Sequence, residues 1–166
     1  MILPWLPRVG AAKEAGSMDL VHEFTLRAAV GETFQLNGGL AGARVVAAVV
    51  DGTVSGERIN GTLVGPGADW AVVGADGYAQ IDVRTQIHTT DGVDRYLSYN
   101  GSLELNEAAA AALFGDGESA YGDNYWVTHV RLEAGDDRYA WVNRAMFVGQ
   151  GRAVAEGIAY EVYRLA

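Results

Sequence analysis

Three observations predict an all-β domain, built as a closed or nearly closed antiparallel barrel or as a sandwich. The 22 glycines among 166 residues exceed the roughly 7% of an average chain, and they fall between β-branched segments rather than gathering in a linker. Ten segments carry the alternation or short apolar runs of strands. Only one stretch reads as helix. A closed ring would leave no open sheet edges to aggregate.

The predicted strands cover residues 20–29, 32–36, 43–50, 53–63, 69–73, 78–89, 94–104, 125–134, 138–148 and 158–165. Gly74-Ala75-Asp76-Gly77 predicts a tight hairpin, because its glycines can take positive φ, and Thr89-Thr90-Asp91-Gly92 predicts the next. The helix is NEAAAAALFG, with Asn106 as cap, Glu107 complementing the dipole and Gly115 ending the run. A loop, GDGESAYGDN, follows it.

The length suits one domain. Apolar residues at 49% and charged residues at 20% are those of a folding globular chain. With 12 Lys and Arg against 21 Asp and Glu, the net charge of −9 repels phosphate backbones and anionic lipid, so neither nucleic acid nor a membrane is an expected partner. The absence of cysteine removes disulfides and thiolate chemistry. No apolar run approaches the roughly 20 residues that span a bilayer. The opening MILPWLPRVGAAKEAGS has no basic region ahead of its short apolar part, which Pro4 and Pro7 interrupt, so a cytoplasmic location is expected. Met18 is a plausible alternative start, which makes 1–17 an N-terminal extension and 18–166 the barrel domain.

Polar residues line one face of several strands. In 78–88, Gln80, Asp82, Arg84, Gln86 and His88 alternate with Ile81, Val83, Thr85 and Ile87. In 125–133, Tyr125, Val127, His129, Arg131 and Glu133 oppose Trp126, Thr128, Val130 and Leu132. Tyr139, Trp141 and Asn143 share a face in a third segment. Such rows suit either a solvated exterior with an apolar core behind it or the wall of a ligand cavity, where rings supply contact and amides fix orientation. His22, His88 and His129 lack metal-site spacing, so no metal is expected, but His88 and His129 suit proton transfer near neutral pH. No serine sits in a nucleophile elbow, and GGLAG near residue 38 opens no helix, so no dinucleotide site is expected.

GADW at 67–70, DGYAQIDVR at 76–84, TDG at 90–92 and RYAWVNRAMFVGQGR at 138–152 resemble the family catalogued as domain of unknown function 3237, in order from Met18 to the C-terminus. The resemblance implies a small antiparallel β-barrel, lipocalin-like or allene-oxide-cyclase-like, that is often oligomeric. It places the family's patterns on Asp69-Trp70, Asp82 with Arg84, Trp141 with Asn143, and Arg131 with Glu133. Thr85 stands where the family commonly has Tyr, Val127 where it has Arg, and His129 where a small residue is usual.

The expectation that follows is a cofactor-independent lyase or isomerase acting on a small apolar or aromatic oxygenated metabolite in the barrel. Its catalytic candidates are His129, His88, Arg84 and Asp69. Its substrate-binding candidates are Trp70, Asp82, Tyr99, Tyr125, Arg131, Glu133, Trp141 and Asn143. A homo-oligomer is expected. The alternative is a non-catalytic barrel that binds a similar metabolite. Both active-site and binding readings need the polar rows to face an enclosed hollow.

Overall fold

The aliphatic row of each strand, buried together, closes the sheet into a ring. The structure, a computed structural model, describes residues 17–115 and 117–166; the expected extension lies outside them except for Ser17. Eight strands follow in order: β1 (Leu20–Gly39), β2 (Gly42–Gly56), β3 (Gly61–Val73), β4 (Tyr78–Thr89), β5 (Asp94–Glu104), β6 (Trp126–Ala134), β7 (Phe147–Val154) and β8 (Gly157–Leu165). Each pairs antiparallel with the next, and β8 returns to β1, closing the barrel. The helix α1 (Glu107–Phe114) joins β5 to β6, capped by Asn106 Oδ1, which accepts from the Ala109 amide at 2.8 Å. No helix among the described residues is long and apolar enough to cross a membrane.

The β4 and β5 bounds coincide with the sequence expectation, and Gly77 and Gly92 both take φ of +82° in the turns expected of them. Segments 20–29 and 32–36 are one strand with bulges near Val30. Segment 53–63 is broken at a turn, with β2 ending at Gly56 and β3 starting at Gly61. The largest correction is 138–148. Asp137–Arg144 is a 3₁₀ helix, started by Asp136, whose side chain accepts from the Arg138 amide, and only then does β7 begin.

Strand direction gives the barrel two poles. The β1–β2, β3–β4 and β7–β8 hairpins and α1 lie at one; the chain ends of β1 and β8, the two remaining turns and the 3₁₀ helix lie at the other. The second pole, the cap, is packed solid by Phe24, Ile59, Ile87, Leu97, Val142 and Phe147, all at most 1% exposed. Burial of each large side chain stabilises by roughly 1.5–3 kcal/mol. At the first pole the inward positions include Ala47, Ala71, Ala79 and Gly157, too small to meet across the ring, and a cavity remains.

Candidate functional site

The cavity has a volume of about 220 Å³. Its wall is mostly apolar, with Val45, Val49, Val73, Ile81, Val83 and Leu103 among the lining residues. It reaches the surface beside Phe114 of α1, an exposed ring at its rim. Asp69, Tyr99, Trp126 and Tyr160 supply most of its polar chemistry.

Asp69 sits on β3 opposite Val83 of β4, and its Oδ1 accepts the Asp82 amide at 3.0 Å. Burial disfavours its charged form more strongly than that hydrogen bond favours it. The nearby Asp82 charge adds to the effect, and the carboxyl is pushed from 3.8 up to about 6. Burial also raises the Tyr99 and Tyr160 phenols, with Asp69's charge contributing to each. Both phenols therefore remain protonated donors at any physiological pH. The two rings meet edge to face at 5.1 Å.

The Trp126 indole donates from Nε1 to Tyr160 Oη at 2.7 Å. An indole can only donate, so the tyrosine oxygen accepts there and keeps its own proton for another partner. Space for this pair comes from β7, whose inward residues include Gly149 and Gly151. A Cβ on Gly151 would lie 2.5 Å from Trp126 Nε1, and one on Gly149 would lie 3.3 Å from Tyr160 Cδ1. Gly151 thus leaves room for the Trp126 indole, while Gly149 leaves room first for Thr128 Oγ1, 2.7 Å from such a Cβ, and then for the Tyr160 ring.

Of the sequence-predicted residues, Asp69 and Tyr99 line this cavity. The polar row of β4 faces out: Ile81, Val83, Thr85 and Ile87 are buried, while His88 is 53% exposed with its Nδ1 2.6 Å from Asp94 Oδ1. Arg84 and Asp82 form an exposed ion pair at 3.0 Å, and the Arg84 guanidinium lies 5.5 Å from the Trp70 ring outside the barrel. Adjacent strand residues point to opposite faces, so Asp69 and Trp70, joined in sequence, are separated by the sheet. On β6 the inward row is Trp126, Thr128, Val130 and Leu132, leaving His129, Arg131 and Glu133 outside, and Tyr125 just before the strand is exposed as well. The expected orientation is therefore corrected for His88, His129, Arg84, Asp82, Trp70, Tyr125, Arg131 and Glu133. Turning those rows inward would bury several charges and expose the aliphatic row, which costs far more than the arrangement found.

Trp141 and Asn143 belong to the cap, not to the pocket wall. Trp141 is stacked by the Arg58 guanidinium at 3.6 Å, and Tyr139 lies under that of Arg95 at 3.0 Å. Asn143 accepts from the Ala134 amide and donates to the Ala134 carbonyl, at 2.9 and 2.8 Å, standing in for a strand neighbour. Arg131, Glu133 and Asn143 do come together, beside a polar groove of about 520 Å³ at the cap that is open to water. Arg131 and Glu133 are 3.7 Å apart, and both are largely solvated.

Sequence reasoning missed Trp126 and Tyr160. Their signal was present in the inward register of β6 and β8 and in the paired glycines between them. Among the described residues, no group of three His, Asp or Glu side chains is placed to hold a metal ion.

Residues 18–165 match the family described as "Protein of unknown function (DUF3237)". The chain belongs to this family. A "UPF0311 protein" of Clostridium acetobutylicum is 28% identical over 131 residues, covering 76% of this chain and 80% of that protein. The crystal structure of a conserved protein of unknown function from Rhodopseudomonas palustris superposes with a TM-score of 0.82 at 22% identity, covering 92% of this chain and 99% of that one. A structure described as that of an enzyme from Penicillium herquei gives 0.70 at 16% identity, over 95% and 100% of the two chains. These structural likenesses show the same β-barrel fold.

Proposed function

We propose that the barrel takes up a small, largely apolar, oxygen-bearing metabolite and moves a proton on it, as a cofactor-independent lyase or isomerase. The observation that carries this reading is the Asp69 carboxyl, set in a mostly apolar cavity with its pKa raised to about 6 beside two phenols. A general base works best with a pKa near the operating pH, where it is ionised yet readily reprotonated. Asp69 takes the role first expected of His88 and His129. Tyr160, its oxygen already engaged by Trp126, donates to a substrate oxygen where negative charge develops, and Tyr99 adds a second phenol at the same wall. Trp126 acts as a positioning residue.

The cavity bounds the substrate. At about 220 Å³ it exceeds the roughly 150 Å³ that holds benzene in an engineered protein, and it falls short of the ~300–1,000 Å³ of drug-sized pockets. One substituted ring or a short branched chain fits. No Lys or Arg lines the wall, and Asp69 is anionic at pH 7, so a neutral molecule is favoured over a carboxylate. The existence of a similarly shaped enzyme supports catalysis in such a barrel.

The test begins with thermal-shift screening of neutral monocyclic ketones, lactones and phenols. Turnover, or deuterium exchange into the ligand, then follows for the hits. Asp69→Asn should reduce the rate by about 10²–10⁴-fold while leaving ligand affinity within about tenfold. The rate of the wild type should fall as pH drops through about 6. An Asp69→Asn protein that turns over normally would sink the proposal, and binding without any turnover would leave the non-catalytic barrel.

A further inference from the structure

Ring closure covers the edges of the strands, yet β1 overruns its neighbour. It pairs with β8 only from Leu20 to Ala29, where Ala29 meets Gly157, and then continues to Gly39. On its other side the overrun is paired with β2 as far as the hairpin, and β2 is covered in turn by β3, from Ala43 opposite Val73 to Ala48 opposite Ala68. Among the described residues, the backbone of 31–38 therefore has no strand on the side facing away from β2.

A bare edge of this kind is a template for another strand, and proteins usually blunt it with Lys, Pro or a covering loop. The segment GETFQLNG contains neither Lys nor Pro. Phe34 is 63% exposed, Leu36 is 49% exposed, and Leu40 at the tip is bare. Across 30–50 the only charged residues are Glu32 and Arg44, so this arm is neutral in a chain of net charge −9. Copies that repel one another elsewhere can approach here.

We propose that a second copy of this chain occupies the overrun, β1 against β1, antiparallel about a two-fold axis through Gln35. This register sets Phe34 opposite Leu36 of the partner subunit, Thr33 opposite Asn37 of the partner subunit, and Glu32 opposite Gly38 of the partner subunit. Apolar side chains then meet across the pair and no like charges do. An axis through Phe34 would instead press Glu32 against Leu36 of the partner subunit. Thr33 and Gln35 also line the rim of the cavity, so the contact would hold one wall of its mouth. The proposal is independent of any catalysis.

Sedimentation of the wild type should give a dimer, and Phe34→Lys with Leu36→Lys should weaken it at least about tenfold, the effect of ~1.4 kcal/mol. Because the chain has no cysteine, Gln35→Cys provides a direct readout. Residues facing each other across an antiparallel pair lie about 4.5–5.5 Å apart at Cα, within disulfide reach, so mild oxidation should cross-link Gln35→Cys and leave Asp76→Cys single. The cross-link also decides the matter should the double lysine variant fail to fold. A wild type that stays monomeric at its highest soluble concentration overturns the proposal. So does a dimer unchanged by the lysines, a Gln35→Cys protein that resists cross-linking, or a monomer that floats with phosphatidylcholine vesicles.

Discussion

The two poles of this barrel each bury a carboxyl and treat it in opposite ways. At the cap, Glu23 is 4% exposed; burial pushes its pKa up, but hydrogen bonds and charge from Arg58 and Arg164 outweigh this and hold it below 4.5. Arg164 Nε donates to it at 2.8 Å, and Arg58 binds it through both Nε and Nη2. At the cavity pole, Asp69 has one backbone donor and no cation, and burial raises it to about 6. A paired carboxylate is structural; an unpaired one in an apolar cavity is a group whose proton is poised to move.

Removing the cap carboxyl should have the largest effect. Glu23→Ala leaves two guanidinium groups facing an empty site, which costs about 3 kcal/mol at pH 7, the low end for broken buried pairs because both arginines reach water. Because the folded pKa is depressed, this contribution is present above pH 4.5 and lost as pH falls through the folded value. Urea unfolding at pH 7 and pH 3 should therefore show a wide gap between wild type and variant that narrows in acid.

Asp69 should behave with the opposite sign. Its folded pKa is raised, so stability fully present below 3.8 is lost as pH rises through about 6. That difference corresponds to about 3 kcal/mol, which water entering the open cavity reduces to about 2 kcal/mol. Asp69→Asn keeps an oxygen for the Asp82 amide and should stabilise the barrel by that amount at pH 8 while leaving it unchanged at pH 3. An Asp69→Asn variant no more stable than wild type at pH 8 would show that the carboxyl is solvated, and the contrast between the poles would collapse.

These two carboxyls also show what the sequence could and could not disclose. The strands were legible because period-two alternation and glycine punctuation are local, and β4 and β5 needed nothing else. The inward face was not, because the charged row of β4 looks the same on the outside of a ring as on its lining. Charge settles it: Ile81 and Val83 are buried in the ring, where Arg84 and His88 would each lose hydration without gaining a partner. Asp69 is reached through the family-like GADW pattern and Tyr99 as an aromatic wall residue, and both lie on inward rows beside the cavity. The cap misled, since RYAWVNR alternates like a strand while its rings rest on Arg95 and Arg58, distant in sequence. Arg95 itself, 2% exposed with no hydrogen-bond partner among the described residues for its guanidinium, has no local signal at all.

A third substitution sharpens the contrast from the cavity side. Gly151→Ala puts a methyl group within 2.6 Å of three atoms of the Trp126 indole, which must shift in a packed wall. Overpacking of this kind costs about 1–2 kcal/mol. It should also separate Nε1 from Tyr160 Oη, so ligand affinity should fall more than stability does. The cap should not notice, and tryptophan fluorescence would report the displaced indole. Equal loss of stability with unchanged affinity would mean that Trp126 positions nothing.

The smallest effect is expected where sequence reasoning placed the chemistry. His88 and His129 lie on the outer face, His88 beside Asp94 in a pair open to water and His129 opposite Asn100 of β5. Exposed pairs contribute at most about 1 kcal/mol, and substitutions away from packed or buried polar groups change stability by about 0.5 kcal/mol or less. His88→Ala and His129→Ala, alone or together, should therefore leave urea midpoints, ligand affinity and any Asp69-dependent turnover essentially unchanged. The double variant is the stringent form of this test, because either imidazole could otherwise substitute for the other. Loss of turnover in that protein would require a proton path from the outer surface through β4 or β6. Along the inward rows of these strands the hydroxyls are those of Thr85 and Thr128, and they donate to the Val64 and Gly149 carbonyls rather than linking the outer face to Asp69.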